Sequence, residues 1–150
     1  MNDENIVIAS AKRTPIGSFQ GSLSKIKATE LGSSVVKENL QETKLAPSQI
    51  DEVIMGCVLP AGLGQAPARQ VSIRANIPVN VGATTINKMC GSGMKAIMMG
   101  YDSILSGSNN IVISGGIESM SNAPYILPKV REGLRMGHDQ IKDHIKKLTS

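Results

Sequence analysis

Cys90 sits in the run Ile86-Asn87-Lys88-Met89-Cys90-Gly91-Ser92-Gly93-Met94-Lys95-Ala96-Ile97, where a strand-like pattern gives way to a helical one. A thiol at such a turn is a nucleophile candidate. Before it, Val81-Gly82-Ala83-Thr84-Thr85-Ile86 is short, β-branched and preceded by Pro78, which reads as a buried strand. After it, Met94, Ile97, Met98, Tyr101 and Leu105 recur at intervals of three and four, the apolar face of a helix ending near Gly107. At the N-terminus of that helix, unpaired backbone N–H groups and the positive end of the dipole favour a thiolate, and the same N–H groups can receive a developing oxyanion. Gly91 and Gly93 carry no Cβ, so a substrate can approach the backbone closely. Taken alone, a single cysteine among apolar neighbours is usually a small buried hydrophobe, so position alone does not decide its role.

Few other residues compete for a chemical role. His138 and His144 both lie in an irregular basic stretch and read as surface residues. Glu118 follows a strand-like segment, and its default reading is a paired structural carboxylate. Lys88 stands two residues before Cys90 but reads as solvent-facing. Gly62-Leu63-Gly64 and Gly91-Ser92-Gly93 lack the spacing of a phosphate-binding loop, which argues against nucleotide binding. Cys57 and Cys90 are too few for a disulfide framework and form no CxxC pair for zinc, so no metal is expected and the thiols suit a reducing compartment.

The elements that must position Cys90 are legible as an alternation. Ile6-Val7-Ile8-Ala9-Ser10 suits a central buried strand, and Arg13 to Gly21 a loop. Leu31, Val35, Val36 and Leu40 then follow with helical spacing, with Thr29 as N-cap and Pro47 closing the segment. Val53 to Val58 is a second strand, and Ala68 to Ala75 a helix with Ala68, Val71 and Ala75 inward. The Val81 strand and the Cys90 helix come next, then Ile111-Val112-Ile113-Ser114 as a fourth strand ending at Gly115-Gly116. This β-α-β-α-β-α-β order predicts a layered α/β domain with a mostly parallel sheet. Right-handed crossovers would put the strand C-termini, and Cys90 with them, on the rim where such sheets bind ligands.

Composition agrees with this scheme. In 150 residues the aromatic fraction is only 2%, so the core must be aliphatic and the eight Met are packing rather than a binding surface. The formal charge is +4, and residues 129–150 alone hold six Lys or Arg against three Asp or Glu. That tail reads as a solvated, partly disordered end in which Ile141, Ile145 and Leu148 make a short helix-like stripe. Without interleaved aromatics it argues against nucleic-acid binding. No run approaches a membrane span, and the acidic Met1-Asn2-Asp3-Glu4-Asn5 has no apolar signal region, so a cytoplasmic protein is expected.

Four blocks together resemble one family. The Ile86–Ile97 run with Ile104 is similar to the nucleophile signature of the thiolases. Ala11-Lys12-Arg13-Thr14-Pro15-Ile16-Gly17, Gly62-Leu63-Gly64-Gln65-Ala66-Pro67-Ala68-Arg69-Gln70 and Gly115-Gly116-Ile117-Glu118-Ser119-Met120-Ser121-Asn122-Ala123-Pro124-Tyr125 fall in that family's order. The likeness runs from about Ile6 to His138, and Asn122-Ala123-Pro124-Tyr125 looks more like the biosynthetic, acetyl-CoA acetyltransferase branch. The resemblance implies a layered N-terminal α/β domain over residues 1–118 and the start of a loop domain, with a divergent basic tail, over 119–150. It implies ping-pong acyl transfer: Cys90 takes an acyl group from a CoA thioester, then passes it to a second acyl-CoA or to CoA. In that family the activating His, the second Cys and most CoA contacts lie beyond the matched region. Only Cys90 and its N–H are therefore carried over; CoA-binding residues are unknown and no permanent cofactor is implied. The chain is thus expected to be an incomplete N-terminal portion, partnered by a homo-oligomer or a C-terminal half. The alternative is a catalytically inactive truncated or split-subunit product acting as an assembly partner.

Overall fold

The computed structural model describes residues 6–146. Three parallel strands form the sheet: β1 (Glu52–Gly56) in the middle, β2 (Gly82–Ile86) on one side and β3 (Val112–Gly116) on the other. Their register aligns Glu52 with Gly82 and Val112, and Gly56 with Ile86 and Gly116, so all three strands end level. The entry side of the sheet is clamped by two acids. Glu52 accepts from Thr84 Oγ1 at 2.8 Å and Asn109 Nδ2 at 2.9 Å. Asp51 accepts from the N–H groups of Asn110 and Ile111, which hold its carboxyl below the usual range.

Helices cover both faces. Helices α1 (Ala28–Thr43) and α2 (Pro67–Arg74) pack on one side, where Val36, Leu40, Ala68 and Val71 join Val53, Met55 and Cys57 of the β1 segment in a single aliphatic core. Strand alternation turns Ile54 and Gly56 to the opposite face, which is covered by α3 (Ser92–Leu105). The prediction of a layered, parallel α/β domain is met.

Helix α3 exists where the sequence placed it, but its orientation is the reverse of what its apolar stripe suggests. Met94, Met98 and Leu105 are 71%, 53% and 66% exposed, with Ile97 and Tyr101 also outward. The face against the sheet is Ser92, Ala96 and Gly100. Contact is too close for anything larger: a Cβ on Gly100 would lie 2.5 Å from Ser114 Oγ and 3.3 Å from Val112 Cγ1.

Several local expectations are corrected. Residues 6–10 form no strand, and Val7 and Ile8 are 73% and 80% exposed. A strand needs a neighbouring edge, and this segment instead lies beside α1, where Ser10 Oγ bonds Asn39 and Glu42 and Lys12 pairs with Glu42 at 2.8 Å. Thr29 lies inside α1 and is fully buried rather than capping it; Lys27 is the cap, and Glu30 reaches back to its N–H. β2 is an edge strand and only half-buried. The Ile141–Ile145 stripe forms no helix, since so few apolar residues cannot offset nucleation. Lys142–Asp143 (β5) instead pairs antiparallel with Tyr125–Ile126 (β4). His144 is half-buried there rather than a surface residue, its N–H donating to Pro124 O at 3.3 Å and both ring nitrogens shielded without a partner among the described residues. The expectations for Met1–Asn5 and for Leu148 fall outside the described residues. No helix among those described is long and apolar enough to cross a membrane.

Candidate active site

The three strands end level, and their exits are tied together. Past the ladder, Cys57 N donates to Ile86 O and Ile117 N to Gly56 O, both at 2.9 Å. This rim is where the chain leaving β2 turns into α3. The turn sits hard against the sheet: a Cβ on Gly56 would lie 2.4 Å from the Ser92 carbonyl carbon and 2.6 Å from Gly93 N. Only glycine at position 56 lets α3 begin directly over β1.

Cys90 lies on this turn, two residues before α3 and next to its Gly91 cap, and it is exposed. The strand, the nucleophile candidate and the helix therefore follow in the predicted order. The turn itself is braced by residues that sequence reasoning left aside. Ser92, only 4% exposed, accepts from Lys88 N at 2.9 Å and donates to Met89 O at 2.6 Å. Asn87 Oδ1 accepts from Met89 N at 2.9 Å, an Asx-turn, and Met89 stands at φ +51°, a left-handed conformation that non-glycine residues rarely adopt. An asparagine two residues ahead of a turn is the signal that was available for this.

A cavity of about 330 Å³ opens at Cys90. Gly56, Val58, Met89, Gly93 and Glu118 contribute to its walls. Glu118 is the carboxylate of the cavity, and its oxygens are engaged: Oε2 accepts from Val58 N at 2.9 Å, Oε1 from Leu59 N at 3.1 Å, with Cys57 Sγ 3.8 Å from Oε1. The pairing is that of the structural carboxylate expected, but the residue is exposed rather than buried. Cys57 is the contrasting thiol. Buried, and next to the Glu118 charge, it is pushed up to about 12, so it stays protonated and unreactive at neutral pH. The exposed His138, the half-buried His144 and the exposed Lys88 do not line the cavity. Among the described residues no three His, Cys, Asp or Glu side chains gather as a metal-ligand group.

Comparison with known proteins agrees with this geometry. The family described as thiolase, N-terminal domain matches residues 6–149. An acetyl-CoA acetyltransferase from Pseudomonas aeruginosa is 51% identical over 140 residues, covering 93% of this chain and 36% of its own length. One from Allochromatium vinosum is 54% identical over 141 residues, covering 94% and 36%. A crystal structure of the Ascaris suum Acat5 thiolase in complex with coenzyme A superposes with a TM-score of 0.85 at 46% identity, over 90% of this chain and 35% of that one. The chain thus spans about a third of the length of the relatives it matches.

Proposed function

The chain belongs to the thiolase family, matching its N-terminal domain, and from that premise we propose that it supplies the acyl-accepting half of an acetyl-CoA acetyltransferase, with Cys90 as the nucleophile. The observation that carries this reading is the placement of an exposed thiol on the C-terminal rim of a parallel sheet, at the opening of α3 and in a cavity. The Cys90 sulfur attacks the carbonyl carbon of an acetyl-CoA thioester. A new carbon–sulfur bond forms, the bond to the CoA sulfur breaks, and CoA leaves as a thiolate that takes up the proton lost by Cys90. Thioester exchange is nearly balanced in bond energy, so the barrier lies in generating the thiolate and in stabilising the tetrahedral oxyanion. The Cys90 N–H, beside the positive end of α3, is the donor for that oxyanion.

A full cycle needs a base and a second acid–base group. No histidine lines the cavity among the described residues, and the Glu118 oxygens already accept backbone N–H groups. Those groups come from a further segment or a second copy docked on this domain, in the cytoplasm, where both thiols stay reduced.

The test is single-turnover acetyl transfer from acetyl-CoA, followed by intact mass and peptide mapping. We expect acetylation at Cys90, faster than in an unstructured peptide spanning residues 84–97, and none in Cys90→Ala. Sustained thiolysis of acetoacetyl-CoA by the 150-residue chain should be negligible. A Cys90 that acetylates no faster than the peptide would overturn the proposal.

A further inference from the structure

Glu118 and Asn87 belong to one run of hydrogen bonds that ends at Met89, the residue before Cys90. It begins at the Glu118 carboxylate, which takes the N–H groups of Val58 and Leu59 just beyond β1. The Val58 carbonyl then accepts from Asn87 Nδ2 at 3.4 Å, and Asn87 Oδ1 accepts from Met89 N at 2.9 Å. Met89, held at φ +51°, is the residue immediately before Cys90. Three chain segments distant in sequence, the exits of β1, β2 and β3, thus meet at the nucleophile turn. The pattern uses the chemistry of each side chain. A carboxylate accepts from two adjacent N–H groups at once, and the Asn87 amide donates to Val58 O through Nδ2 while accepting from Met89 N at Oδ1.

A left-handed non-glycine residue is strained and persists only where its surroundings over-determine it. Here the restraint falls on the backbone that aims the Cys90 sulfur and its own N–H. We infer that Glu118 and Asn87 are positioning residues for Cys90: acting through the Val58-Leu59 loop, they hold Met89 left-handed and so fix the sulfur relative to the oxyanion donors. This rests on the acyl-acceptor reading above. Neither residue touches the reacting atoms in this role.

The experiment separates aim from exposure. Acetyl transfer from acetyl-CoA needs sulfur, carbonyl and donors aligned, and misplacement by about 1 Å can cost up to 10²-fold. Alkylation by iodoacetamide needs only an accessible thiolate. Both rates are measured at Cys90 in the wild-type chain, Glu118→Gln, Glu118→Asp and Asn87→Ala, with helix content followed by circular dichroism. The expected result is an acetylation-to-alkylation ratio lowered about tenfold or more in Glu118→Gln and Asn87→Ala. Glu118→Asp, which keeps the double acceptor, should recover part of it. A merely structural role would lower thermal stability while leaving the ratio unchanged, and that outcome overturns the inference alone. If Glu118→Gln does not fold, Asn87→Ala decides; unfolding of both assigns the network to the fold and also overturns it. Wild-type acetylation no faster than the unstructured peptide is the failure of the underlying reading.

Discussion

Two thiols on one rim behave oppositely because one is wrapped and the other is not. Cys57 is 2% exposed and sits against the Glu118 carboxylate, whereas Cys90 is exposed on the turn. At neutral pH iodoacetamide should label Cys90 and leave Cys57 untouched until denaturant is added; labelling of both at equal rates in the folded chain contradicts the placement. Cys57 also predicts alkaline behaviour. Its ordinary value of 9.0 is raised to about 12 by burial, so above pH 9 the unfolded chain releases a proton that the folded chain keeps. The unfolded state is then favoured, and stability falls with rising pH between 9 and about 12, by about 1.4 kcal/mol per pH unit at most. Cys57→Ala should flatten this part of the pH–stability curve measured by urea unfolding, apart from a constant cost for the lost volume. An unchanged slope would assign the alkaline loss to other groups. The sequence placed Cys57 in a strand segment, but nothing in it pairs the thiol with a carboxylate at position 118; that neighbour exists only because β1 and β3 lie side by side.

Element placement was readable and element orientation was not. β1, β2, α2, α3 and β3 fall close to the predicted segments because apolar runs and helical spacing mark them directly. Helix α3, however, carries two stripes: a large apolar one through Met94, Met98 and Leu105, and a small one through Ser92, Ala96 and Gly100. Hydrophobicity selects the first for the core, whereas close packing over Gly56 and Ser114 selects the second. Residues 6–10 failed as a strand for a related reason, since apolar content marks a segment fit for pairing but not the edge that receives it. The crowding makes a prediction at this scale. In Gly56→Ala the new methyl meets backbone at Ser92 and Gly93 that cannot swing aside. Overpacking of this kind costs about 1–3 kcal/mol, and α3 must lift at the end that carries Cys90. Urea unfolding should report the lost stability, and acetyl transfer to Cys90 should fall more steeply than iodoacetamide labelling. A variant with wild-type stability and wild-type acetylation would show that α3 does not bear on β1 so closely.

The three-layer arrangement leaves one layer unfinished among the described residues. The large apolar stripe of α3 faces outward, and the outer edge of β3 is unpaired beside it. Water is a poor neighbour for both: burying a Met or Leu side chain fully is worth about 1.5–3 kcal/mol, and an open strand edge is a template for further pairing. A basic excess of charge does not prevent contact here, because the stripe itself carries no charged side chain at Met94, Ile97, Met98, Tyr101 or Leu105. The 150-residue chain should therefore self-associate through α3 in a concentration-dependent way, which sedimentation velocity across the micromolar range would show. Met98→Glu with Tyr101→Glu places two charges on positions that are already exposed, so the fold should survive while association weakens about tenfold or more. A wild-type chain that sediments as a single monomer at every concentration would contradict the prediction. The same face bears on catalysis. α3 begins at the Cys90 turn, so whatever covers its outer stripe lies one helix away from the proposed nucleophile, whose cavity no histidine lines among the described residues. On the proposed role of Cys90, docking and chemistry would be coupled through one element, since a partner that covers the apolar stripe of α3 would also border the turn that carries the thiol.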